Sequence, residues 1–112
     1  MRAEKLYLYD INKLIGTLTG EFGGLPYEKF TADPKTLKSA VERLLIMKER
    51  WAWLPAQVRR ELGPLDWNAL TGTWNRSTGA FDGVDAKQVW ETIAQTLPQW
   101  NGKVEEFLNR PG

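Results

Sequence analysis

The sequence predicts an all-α fold, an antiparallel bundle of four main helices plus one short helix, built by residues 1–112 as a single domain. Three observations carry this expectation. Apolar residues recur at steps of three and four through every long segment, which draws one stripe along a helix. No segment alternates apolar and polar residues as a half-buried strand would. Asp, Pro and Gly fall at the segment ends, where helices are capped or broken.

The first segment, from Glu4 to Phe22, carries Leu8, Ile11, Ile15, Leu18 and Phe22 on one stripe. Gly16 and Gly20 weaken its end, and Gly23-Gly24 stops it. A loop is expected next, through Pro26 to Phe30, with Phe30 folding back as a plug. Asp33 then serves as N-cap and Pro34 as the first residue of a second helix. Its stripe is Leu37, Ala40, Leu44, Met47, Trp51 and Leu54. Pro55 ends this helix or restarts it as a short one through Leu62, before the break at Gly63-Pro64. Asp66 caps a third helix holding Trp67, Leu70 and Trp74, which frays or turns into a loop between Asn75 and Gly83. Asp85 caps the last helix, whose seam is Val89, Ile93, Leu97, Trp100, Val104 and Phe107. Pro98 lies inside that seam, and a kink is expected there because the apolar period keeps its phase across it.

Composition narrows the chemistry. Hydrophobic residues make up 42% and charged residues 26%, as in ordinary globular proteins. The longest apolar run, Leu44 to Met47, is too short to cross a bilayer. The opening Met1-Arg2-Ala3-Glu4-Lys5 is amphipathic and lacks a secretory leader, so a cytoplasmic location is expected. Lys and Arg number 15 against 14 Asp and Glu, a net charge of +1, which argues against a nucleic-acid partner. Arg59-Arg60 and Lys48-Glu49-Arg50 read as solvated helix faces. There is no Cys and no His. That removes thiol nucleophiles, imidazole bases, Ser-His-Asp and Cys-His triads, and Cys/His zinc sites. Glu42, Glu49 and Asp82 have no spacing that fits a paired-acid or metal site, so no cofactor or metal is expected. Asn75-Arg76-Ser77 matches a glycosylation pattern and Gly16/Gly20 a small-residue pair, both read as accidents.

Several stretches, in order, resemble the HepT-like HEPN family. Glu4-Lys5-Leu6-Tyr7-Leu8-Tyr9-Asp10-Ile11 resembles its opening helix, and Asp33-Pro34-Lys35-Thr36 the start of its second. Leu54-Pro55 and Asp66-Trp67 fall at its helix junctions. Gly83-Val84-Asp85, followed by Val89-Trp90-Glu91-Thr92-Ile93, resembles its closing helix. The resemblance implies a homodimeric helical bundle, often paired as a toxin-antitoxin system with a minimal nucleotidyltransferase. It also implies a metal-free RNase motif: an Arg, four intervening residues and a His, with a modifiable Tyr two positions on. The Arg holds phosphate and the His moves protons.

Carried onto this chain, the Arg position is Trp74, the His position Gly79 and the Tyr position Phe81. An indole and a glycine transfer no proton, and a phenyl ring has no hydroxyl to modify. Arg76 is close enough to touch a phosphate but has no general base beside it. The expectation is therefore a non-enzyme. The family's small residues before the Leu-Pro junction are also replaced here, by Lys48-Glu49-Arg50-Trp51-Ala52-Trp53.

Six Trp is many for this length. Trp67, Trp90 and Trp100 lie on core seams; Trp51 divides evenly between core and surface. Trp53, Trp74 and Phe81, with Trp51, are expected to form one exposed aromatic patch, with Arg50 and Arg76 beside it, and such patches mark docking sites. The bland alternative is that these side chains fill the vacated cleft. Thr71, Thr73, Ser77 and Thr78 supply a polar rim. The expected function is a catalytically inactive HepT-like scaffold that binds a protein partner, engineered for that purpose. The alternative is a natural, degenerate HepT-like protein that still pairs with a nucleotidyltransferase, with homodimerisation retained.

Overall fold

In the computed structural model, which describes residues 3–111, the chain is a helical bundle with one small β-hairpin. Met1, Arg2 and Gly112 lie outside the described residues, so the leader expectation is followed only from Ala3 onward.

Helix α1 runs Ala3–Phe22 and buries all five residues of the expected stripe. Helix α3 runs Pro34–Ala52. The two are antiparallel, since Asp10 pairs with Arg50 and Glu21 with Arg43. Asp33 caps α3 as expected, its carboxylate accepting from the Lys35 amide at 2.9 Å, with Pro34 opening the helix. Ala40, Leu44, Met47 and Leu54 are buried, whereas Leu37 and Trp51 at the stripe's edges are half-buried. Each fully buried Leu or Ile stabilises the bundle by about 1.5–3 kcal/mol relative to exposure.

The segment expected as a loop is a short helix, α2, over Tyr27–Ala32. No side chain caps it. Phe30 supplies the reason it folds: its ring is fully buried, edge-on to Phe22 at 5.8 Å. Helix α4, Ala56–Leu62, restarts after Pro55 as expected.

The last long helix has three continuous parts: α6 over Ala86–Glu91, a π-helical segment over Thr92–Thr96, and α7 over Leu97–Asn109. Asp85 caps it by accepting from the Gln88 amide at 3.1 Å. All six seam residues are buried. The kink expected at Pro98 takes the form of this wide turn. Pro98 lacks an N–H and its ring would strike the carbonyl four residues back. The Leu97 amide instead bonds to Thr92, five residues back, which opens the turn. Helix α7 packs antiparallel on α1, tied by Lys5 Nζ to the Arg110 carbonyl at 2.6 Å and Asn12 to Asn101 at 2.7 Å.

The third main helix is much shorter than expected. Helix α5 covers only Trp67–Thr71, capped by Asp66, whose carboxylate accepts from the Ala69 amide at 3.2 Å. Trp74 is not on it. Strands β1, Thr73–Asn75, and β2, Ala80–Asp82, pair antiparallel, with Trp74 opposite Phe81. Among the described residues no helix is long and apolar enough to cross a membrane.

Candidate functional site

The hairpin begins at Gly72, where the backbone turns sharply out of α5 at φ +56° and ψ −148°. This conformation is essentially reserved for glycine. A Cβ there would also lie 2.2 Å from the Asp82 carbonyl oxygen and 2.9 Å from the Val84 side chain. Glycine therefore lets the start of the hairpin lie directly against its end. Asp85 closes the base, its amide donating to the Ala69 carbonyl at 2.7 Å.

Asn75 organises the tip. Its side-chain carbonyl accepts from the Ser77 amide at 2.9 Å, its amide group donates to Asp82 at 2.9 Å, and its backbone carbonyl accepts from Gly79 at 2.9 Å. Gly79 completes the turn at φ +68°, where side chains other than Gly, Asn and Asp are disfavoured. The three positions to which the family motif carries over thus all lie on this hairpin: two rings paired across the strands and one turn glycine.

Trp74 and Phe81 pack edge-on with centroids 5.0 Å apart, and Trp74 is 46% exposed. Phe81 is half-buried and forms one wall of a half-open groove of about 340 Å³. The opposite wall is the first part of α3, through Leu37 and Val41, and Val84 closes one end. Lys35 and Lys38 stand on its rim. Lys38 Nζ also lies 5.5 Å from the centre of the Trp74 ring, a cation–π contact.

The remaining residues of the expected patch are elsewhere, and this corrects the expectation of one surface. Trp53 is 69% exposed at the far end of α3, beside Tyr7 at 6.3 Å. Fifteen residue steps along α3 and its C-cap separate Lys38 from Trp53, about 22 Å at 1.5 Å each. Trp51 is half-buried and stacks on Trp67 at 5.6 Å, under the Arg59 guanidinium at 5.3 Å. Trp67 in turn meets Trp100 at 6.2 Å, so Trp51 belongs to a structural aromatic row. The indole N–H groups of Trp51 and Trp67 are buried there without a hydrogen-bond partner among the described residues. Arg50 is engaged by Asp10 at 2.9 Å. Arg76 is exposed at the hairpin tip. Only Trp74, Phe81 and Arg76 therefore share the hairpin.

Sequence reasoning did not identify the second wall. Leu37 is placed there only as part of the second helix's stripe, and Val41 and Lys38 are given no role. Their one signal was proximity to Asp33-Pro34, which fixes where α3 starts. Chemically the groove offers apolar walls and two lysines, and among the described residues no carboxylate lines it. Among the described residues no group of three or more potential ligand side chains could hold a metal ion.

The chain is 26% identical over 110 residues to a protein of Caldanaerobacter subterraneus subsp. tengcongensis provisionally named as an RNase, covering 98% of each. It is 27% identical over 106 residues to a protein of Thermococcus cleftensis provisionally named ribonuclease HepT, covering 95% of this chain and 96% of the relative. A third relative, from Methanocaldococcus jannaschii and also provisionally named as an RNase, is 27% identical over 105 residues, 93% of this chain and 86% of its own. No protein-family model and no solved structure matches the chain.

Proposed function

We propose that this chain, HepT-like by its similarity to these relatives along almost its whole length, does not cleave RNA and docks another protein on its hairpin. In this reading residues 1–112 form one domain, and the replacements at positions 74, 79 and 81 mark a redesigned scaffold. The observation that carries the docking role is the Trp74–Phe81 pair, half-exposed beside an apolar groove that no carboxylate lines among the described residues. Exposed Trp is the residue type most often dominant in binding, and its partner ring is already held in place. Rigid anchors lose little side-chain freedom on binding.

Loss of cleavage is supported by the residue types present, independently of the partner. A chain without His or Cys has no side chain titrating near neutral pH by its ordinary value. The test of docking is affinity capture by the wild-type chain, by the Trp74→Ala/Phe81→Ala variant and by Trp53→Ala. The partner should be lost from the hairpin variant and retained by Trp53→Ala. Equal capture by all three would refute the reading.

A second reading is favoured by the near-complete, end-to-end match to natural relatives. In it the chain is a naturally degenerate HepT-like protein, dimeric, that still pairs with a nucleotidyltransferase. Co-purification with such an enzyme, together with a dimer mass by light scattering, supports this form. A monomer that ignores the enzyme excludes it.

A further inference from the structure

The groove beside the hairpin has a charge as well as a shape. Leu37, Val41, Phe81 and Val84 line it together with Lys35 and Lys38, both exposed residues. Among the described residues no carboxylate lines it. The nearby acids are committed elsewhere: Asp33 caps α3, Asp82 accepts from Asn75, Asp85 caps α6, and Glu21, which shares a second cavity with Lys35, pairs with Arg43. Glu42 stands one turn beyond Lys38 on α3 and does not reach the groove lining. Neither lysine has a carboxylate partner among the described residues. A chain with a net charge of only +1 therefore presents, around its apolar groove, two cations without a carboxylate partner among the described residues.

Building on the docking reading, we propose that the groove takes an acidic, apolar segment of a partner polypeptide: one large apolar side chain in the groove, with a carboxylate close by on Lys35 and Lys38. The cavity, about 340 Å³, is at the small end of ligand-sized pockets and accommodates one such anchor. A polypeptide fits better than a free small acid because the apolar surface continues outside the cavity onto the exposed Trp74 ring. Lys38 spans both parts, lining the groove while lying over that ring. A carboxylate placed there gains an ammonium already positioned by the indole. The rim charges set which partner is accepted more than they set raw affinity.

The experiment is selection from a random twelve-residue phage-displayed peptide library on the immobilised full chain, followed by titration of the enriched peptides. The enriched peptides should pair Leu, Phe or Trp with neighbouring Asp or Glu, and should lose binding to Trp74→Ala/Phe81→Ala. Reversing the rim with Lys35→Glu/Lys38→Glu should weaken them about tenfold or more, since each exposed pair contributes up to about 1 kcal/mol. Selection on that reversed variant should enrich basic peptides instead. Both lysines are exposed, so the reversal leaves the core intact, and Lys35→Gln/Lys38→Gln should give an intermediate loss. Peptides that need the two rings but show no acidic bias would overturn the charge assignment and leave the docking reading standing. No peptides dependent on the rings would refute the docking reading itself. Sodium octanoate displacing the acidic peptides as effectively as an equal concentration of unlabelled peptide would overturn the polypeptide assignment in favour of a small-acid site.

Discussion

Replacing Gly72 by Ala tests whether the hairpin is docked as described. The backbone at Gly72 lies in a region that L side chains avoid, and holding Ala there costs about 1–3 kcal/mol. The added methyl also meets the Asp82 carbonyl oxygen at 2.2 Å, which is backbone and not a flexible side-chain end. The strands must separate to relieve that contact, withdrawing Phe81 and Val84 from their half-buried positions. Together these give a loss of about 2–4 kcal/mol, within the range of severe single substitutions. For a chain of this size that corresponds to a midpoint lowered by roughly 8–16 °C. Gly79→Ala is the matched control. It carries a similar positive φ but has nothing within 4 Å of its added Cβ, so strain alone remains, about 1–2 kcal/mol. Urea denaturation followed by tryptophan fluorescence gives both values. Hydrogen exchange should show β1 and β2 amides opening in Gly72→Ala while α1 and α3 stay protected. Equal stability of the two variants, within about 0.5 kcal/mol, would refute the placement of the hairpin base against Gly72.

Three further outcomes follow from the packing. Trp67→Phe removes a buried indole N–H that has no partner, so it should cost much less than the 3–5 kcal/mol typical of Trp→Ala, and thermal denaturation of both variants checks this. Trp90→Phe removes the 2.7 Å hydrogen bond to the Leu25 carbonyl that ties α6 to the segment before α2, lowering stability by about 1–3 kcal/mol in urea titration. Arg50→Ala breaks an exposed pair with Asp10 and should change stability by at most about 1 kcal/mol, with no effect on binding at the hairpin some turns away.

The long helices were legible in the sequence because each carries its own signal. Asp33, Asp66 and Asp85 all cap as expected, and the stripes of α1 and of the last helix are buried without exception. The two consecutive steps of four, Val89 to Ile93 to Leu97, are even the trace of the π turn, since a wider turn needs more residues to return to one face. The short elements were not legible. Strands of three residues leave no length for alternation to show, and α2 has no capping side chain to announce it. Trp74 falls in helical phase with Trp67 and Leu70, yet Gly72 ends the helix between them by adopting a conformation that spacing does not encode. The sequence picks out the aromatic residues, but their grouping requires distances. Trp53 and Trp74 differ by one helix length, and Trp51 has neighbours on α4 and α5 that no local pattern reveals.

The most direct test of the account is incubation of the purified chain with single-stranded RNA, with and without divalent metal, beside the Thermococcus cleftensis relative. The account predicts that this chain leaves the RNA intact under every condition, with Trp74→Arg and Phe81→Tyr equally inert. Cleavage by the wild-type chain that disappears in Arg76→Ala would contradict it, because the hairpin would then carry an active site and not a docking surface.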